Sequence, residues 1–104
     1  MKIEVRLNQT ERPGRFWDGW QPGDTLSEPF TFEGTATDAE NACEYAFYLF
    51  NAPEEFLSAS DTRIARKYRD GGRRSLSIDD VVTVDGVSYA CQSMGWQKIE
   101  EPLS

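Results

Sequence analysis

The sequence predicts an α+β fold: a small antiparallel sheet made from an N-terminal strand and a C-terminal three-stranded meander, packed by one main helix over about 38–50 and a shorter second helix over about 61–69. Three observations predict it. Charged and apolar residues alternate over residues 2–7, with Ile3, Val5 and Leu7 on one side and Lys2, Glu4 and Arg6 on the other, the period of a half-buried strand. Thr37 and Glu40 have the Ser/Thr-x-x-Glu form of a capping box, just ahead of apolar residues spaced by three and four. Finally, two β-rich runs at 81–84 and 87–91 flank Asp85-Gly86, a pair suited to the positive φ angles of a type I′ hairpin turn.

Each element follows from local chemistry. Residues 8–29 contain Pro13, Gly14, Gly19, Pro22, Gly23 and Pro29, so no long helix fits there and a structured loop is expected, followed by a short strand at 30–33 that ends at Gly34. In the main helix Ala39, Ala42, Cys43, Ala46, Phe47 and Phe50 form the inward stripe, with Asp38, Asn41 and Glu44 opposite; Asn51 and Pro53 end it. The small residues near its start let its backbone approach a sheet closely. Ser60 or Asp61 is the expected cap of the second helix, whose narrow stripe is Ile64 and Tyr68 and whose stop is Asp70-Gly71-Gly72. After the hairpin, 92–95 forms a turn into a last strand at 96–99, with Trp96 packing on the meander.

The 104 residues suffice for one domain with one modest core. With 38% apolar and 28% charged residues, and three Trp, four Tyr and six Phe, the composition supports a folded state. No stretch has the roughly 20 apolar residues that span a bilayer, and the start has no apolar run of the kind that directs export, so a cytoplasmic chain is expected. Cys43 and Cys91, far apart in a helix and a strand, read as reduced core thiols.

Histidine is absent, which removes Ser-His-Asp and Cys-His catalysis, histidine-based zinc sites and imidazole acid–base work within this chain. No Walker or dinucleotide-binding glycine motif is present, and Gly71-Gly72 reads as a helix stop. The pairs Glu54-Glu55, Asp79-Asp80 and Glu100-Glu101 lack the spacing of a calcium loop and read as solvated charge, except that Asp80 is placed to satisfy turn N–H groups ahead of a strand. No catalytic residue, metal site or cofactor is therefore assigned.

Two groups remain as candidate contact surfaces. Phe16, Trp17 and Trp20 are aromatics in a Gly/Pro-rich loop, which either fold back over the sheet or form an exposed hot spot for a protein partner. Arg63, Arg66, Lys67, Arg69, Arg73 and Arg74 hold six of the 11 basic side chains, against a single acid, Asp70, so residues 63–74 carry +5 while the rest of a chain of net charge −7 carries −12. Such a segment suits an acidic protein partner or a second copy of the chain; weak, salt-sensitive nucleic-acid contact is the alternative, opposed by the acidic remainder. An acidic decoy of the antirestriction type is a further alternative, although the acids lack an ordered, phosphate-like spacing.

The segment from Arg74 through Ser75, Leu76, Ser77, Ile78, Asp79, Asp80, Val81 and Val82, followed by the Asp85-Gly86 hairpin, Tyr89-Ala90-Cys91 and Gly95-Trp96, resembles the C-terminal signature of the YodL-like domain family. The family pattern has glycine where this chain has Asp79. The resemblance extends over about 37–99 and includes the alanine-rich helix ending near Phe50-Asn51. It implies a small accessory protein of phages, plasmids or other mobile elements, acting on a host protein, and it assigns no binding or catalytic residue.

Overall fold

The alternation at the N-terminus forms strand β1 (Lys2–Arg6), whose Ile3 and Val5 are buried on one face while Lys2, Glu4 and Arg6 occupy the other. The computed structural model describes residues 1–11 and 19–100. Among these, β1 is joined by β2 (Phe30–Glu33), helix α1 (Ala39–Asn51), a short 3₁₀ turn (Glu54–Phe56), helix α2 (Ala59–Asp70), and strands β3 (Val81–Val84), β4 (Val87–Cys91) and β5 (Trp96–Ile99). The strands form one sheet in the order β2-β1-β3-β4-β5 with every neighbouring pair antiparallel. The expected fold is the observed one, and β2 extends its sheet by one edge strand.

Because β2 and β3 each run antiparallel to β1, they are parallel to one another, and a chain joining them must cross over β1. Both helices lie in that crossover. Their apolar sides meet one sheet face: Ile3, Val5, Phe32, Val82 and Val84 pack with Ala42, Cys43, Ala46, Leu49 and Phe50 of α1 and with Ala65 and Tyr68 of α2. Each large side chain so buried contributes about 1.5–3 kcal/mol of transfer free energy. Aromatic rings carry much of this layer. Tyr68 stacks on Phe50 with ring centroids 3.9 Å apart, and Phe30 meets both edge-on.

All four residues of β3 are buried because the opposite face is covered too. There Val81, Ala90 and Ile99 form a second apolar group against which Trp20 and Leu26 pack. The returning loop is held to the end of β1 by Gln9 N–H to Thr25 O at 2.7 Å and Ser27 N–H to Leu7 O at 2.8 Å.

The helix starts differ from the sequence expectation. Asp38, not Thr37, caps α1, its carboxylate accepting the Asn41 N–H at 2.8 Å. A carboxylate outcompetes a hydroxyl there because it also opposes the positive end of the helix dipole. Ser58 caps α2, accepting the Asp61 N–H at 3.1 Å, so this helix begins two residues earlier than expected and places Asp61 in its first turn. It stops as foreseen: Gly72 has φ +80° and its N–H bonds Arg69 O.

The β3–β4 turn has φ +48° at Asp85 and +89° at Gly86, the signs a type I′ turn requires. No atom lies within 4 Å of where a Gly86 Cβ would sit, so a side chain there meets backbone strain alone. Gly86→Val is therefore expected to destabilise the domain by about 1–3 kcal/mol, read as a lower chemical-denaturation midpoint. An unchanged midpoint would contradict the turn and, with it, the register of the meander.

Candidate functional site

The buried carboxylate of Asp80, in the linker before β3, accepts four N–H groups: Asn8 N–H and Ser77 N–H at 2.8 Å each, and both Arg74 terminal nitrogens at 2.6 and 2.8 Å. Arg74 also donates to Asn8 O and Ser75 O. Hydrogen bonding to Asp80 holds the Arg74 guanidinium above its already high ordinary pKa. Its neighbour Asp79 is likewise buried, adopts φ +76°, and bonds Cys91 O through its N–H. Aspartate is one of the few residues besides glycine that enters this left-handed region. These groups form a structural clasp.

The basic segment is thereby divided. Arg74 belongs to the clasp. Arg73 lies over the Phe30 ring at 4.9 Å and donates to Tyr68 O. Arg66 makes two 3.1 Å bonds to Glu54, which lower the Glu54 pKa, and Arg69 reaches Ala52 O. All four basic side chains of α2 are exposed, and Arg63 and Lys67 have no ion-pair partner among the described residues. The six basic side chains thus do not form one free patch, because four have intramolecular partners. Beside them, Gly71, Gly72 and Arg73 border a recess of about 310 Å³ together with Leu7, Gln9, Ser27 and Glu28; the Glu28 carboxylate opposes an anion there.

Of the aromatic loop, Phe16 and Trp17 lie outside the described residues. Trp20 is half-buried against the second apolar group, so it covers the sheet instead of standing exposed. Among the described residues no three Cys, Asp or Glu side chains converge as metal ligands, and no helix is long and apolar enough to cross a membrane.

A different surface mixes open apolar side chains with polar ones. Met94 is 89% exposed at the tip of the β4–β5 turn, and Phe47 is partly exposed on α1. Trp96 meets Phe47 edge-to-face at 6.4 Å and donates its indole N–H to Glu44 Oε1 at 3.0 Å. Glu44, Phe47, Cys91, Gln92, Ser93, Gly95 and Trp96 line a recess of about 170 Å³. The sequence placed Phe47 in the inward stripe, where Leu49 is buried instead; Trp96 packs on the meander as expected, with Phe47 meeting it at the rim. Cys91, at the recess wall, and Cys43 are both free.

Compared with protein-family models, with curated proteins and with solved structures, the chain matches none of them.

Two expectations follow from this chemistry. Arg74→Ala leaves a buried carboxylate without its cation and should cost about 3 kcal/mol, whereas Arg63→Ala with Lys67→Ala should leave the melting temperature nearly unchanged; equal effects would contradict the clasp. The second concerns alkali. Burial, reinforced by nearby negative charge, raises Cys91 to about 11 and Cys43 to about 12, from an ordinary 9.0, and Tyr68 to about 12, from 10.0. The unfolded chain then releases these protons first. Their contribution to stability is complete below about pH 9 and is lost as pH rises through 11 and 12. Urea midpoints should fall between pH 9 and 11, and fall less in Cys91→Ala; a flat profile would show the thiols to be solvated.

Proposed function

We propose that the chain is a non-catalytic protein-interaction module, a YodL-like accessory protein of a phage or other mobile element that acts on a host protein in the bacterial cytoplasm. The observation that carries this reading is the recess whose walls include the partly exposed Phe47 and the half-buried Trp96, beside a turn that holds Met94 out in water. Aromatic side chains that stay partly in water while fixed in position are the composition of interface hot spots, since little side-chain freedom is left to lose on docking. Here the fixing is visible: Gln92 N–H bonds Gly95 O at 3.0 Å across the turn, and Glu44 holds the indole. The working surface in this reading is the α1–β5 rim in place of the 16–20 loop. Nucleic-acid contact draws less support, because Arg66, Arg69, Arg73 and Arg74 have partners within the chain.

The test is capture from a bacterial lysate with three immobilised baits: the wild type, Met94→Glu, and Arg63→Ala with Lys67→Ala. A specific host protein should be retained by the first and third and lost from the second, with all three melting alike. Retention by Met94→Glu and loss from the α2 variant would move the surface to α2. Retention of no protein, beside turnover of a small molecule, would end the reading.

A further inference from the structure

The recess beside Trp96 has the size and chemistry of a site for one particular kind of side chain. At about 170 Å³ it falls below the roughly 300–1,000 Å³ of sites that enclose a drug-sized molecule, so it takes a single long side chain more readily than a free metabolite. Its walls combine two aromatic rings with one carboxylate. The rings of Phe47 and Trp96 stand edge-to-face, 6.4 Å apart; Glu44 is the one lining residue with a formal charge. Cys91, the other ionisable group in the wall, stays a neutral thiol at physiological pH because burial raises its pKa. The recess is therefore negative in both senses, from the ring quadrupole of Trp96 and Phe47 and from Glu44. The chain around it has a net charge of −7, which draws a cationic partner from a distance.

We propose that this recess is an arginine-binding site, occupied by an arginine side chain from a basic segment of the partner protein. This deepens the interaction reading above and rests on it. The guanidinium lies against the Trp96 indole and directs N–H groups to Glu44, while its aliphatic stem passes the Phe47 ring. Arginine suits the site better than lysine because its flat cation stacks on a ring and offers a fork of donors, whereas an ammonium is a strongly hydrated point charge. Glu44 already accepts the indole N–H through Oε1, and a carboxylate has lone pairs for further donors. The same chain shows the contact internally, where Arg73 lies over Phe30 and Tyr68.

The site is tested by titrating the ¹⁵N-labelled full chain with N-acetyl-arginine amide and, separately, with N-acetyl-norleucine amide, which keeps an aliphatic stem and lacks the charge. The arginine amide should shift the Trp96 indole N–H and the backbone amides of residues 92–96 in a saturable way, and the norleucine amide should bind at least tenfold more weakly. Trp96→Leu, which removes the π face and keeps apolar volume, should weaken the arginine amide roughly tenfold, within the range of a partly desolvated cation–π contact. Glu44→Gln should weaken it too; its side chain is exposed on α1, so this variant carries the test if Trp96→Leu does not fold. Equal binding of the two amides would overturn the proposal, as would shifts scattered over acidic residues away from the recess or an undiminished response in Glu44→Gln. Absence of arginine binding alongside lysate capture that still depends on Met94 would leave the docking surface standing and remove the arginine site alone.

Discussion

Asp80 is wholly buried, and a carboxylate in that position is tolerable only if nearly every lone pair has a donor. Its four N–H partners come from two sides of the crossover: one is the Asn8 N–H just past β1, 72 positions away, and three are the Ser77 N–H and the two Arg74 nitrogens in the segment after α2. Satisfying one side chain therefore fixes where the helical crossover ends, where β3 begins, and how β3 sits against β1. The pairing of Val5 with Val82 and of Arg6 with Val81 lies immediately beside this point. A one-residue slip of β3 would exchange Val82 for Val81 on the helix face and carry Asp80 away from Asn8.

The clasp also decides the electrostatics. On paper the chain is bipolar, with a cationic segment at 63–74; in the fold its last two arginines are held to the body of the protein, while the four basic side chains on α2 stay exposed. Arg74 neutralises a buried charge, Arg73 covers the aromatic layer, and Arg66 closes the 3₁₀ turn onto α2 through Glu54. The aromatic layer depends on the same corner. The Tyr68 hydroxyl donates to Arg74 O, tying the ring stacked on Phe50 to the residue that pairs with Asp80.

The elements that were legible in the sequence are those whose signal is local. Alternation in β1, the Asp85-Gly86 turn and the glycine stop of α2 each reflect constraints acting within a few residues, and the meander follows from them. Asp80 as an acceptor for turn N–H groups was legible for the same reason through Ser77, but its bond to Asn8 was not, because nothing in the chain marks a contact across 72 positions; the Arg74 pair, only six positions away, was hidden by grouping that arginine with the basic segment. The basic segment misled by proximity: Arg63, Arg66 and Lys67 share an exposed face of α2, whereas Arg73 and Arg74, beyond the glycine stop, turn to the aromatic layer and to Asp80. Phe47 and Leu49 show the limit of periodicity. Both lie near the edge of the apolar stripe of α1, and which one turns inward depends on where the sheet ends.

That geometry also explains why an aromatic pair is left at a rim. Five strands spaced about 4.8 Å apart make a face somewhat over 20 Å wide, while two helices side by side, each about 10 Å across, cover roughly that width only if centred on it. They are displaced toward β2, since Tyr68 of α2 packs on Phe30 and α1 lies over Ile3, Val82 and Val84. The strip above β5 is then reached only by the flank of α1, where Glu44 and Phe47 meet Trp96 without closing over it. On the opposite face no helix is present among the described residues, and Trp20 and Leu26 perform the covering. Two tryptophans in similar glycine-rich surroundings thus differ for one reason: Trp20 lies with Leu26 over the β3–β5 part of a face that no helix among the described residues covers, and Trp96 at the margin of a face whose helical cover falls short.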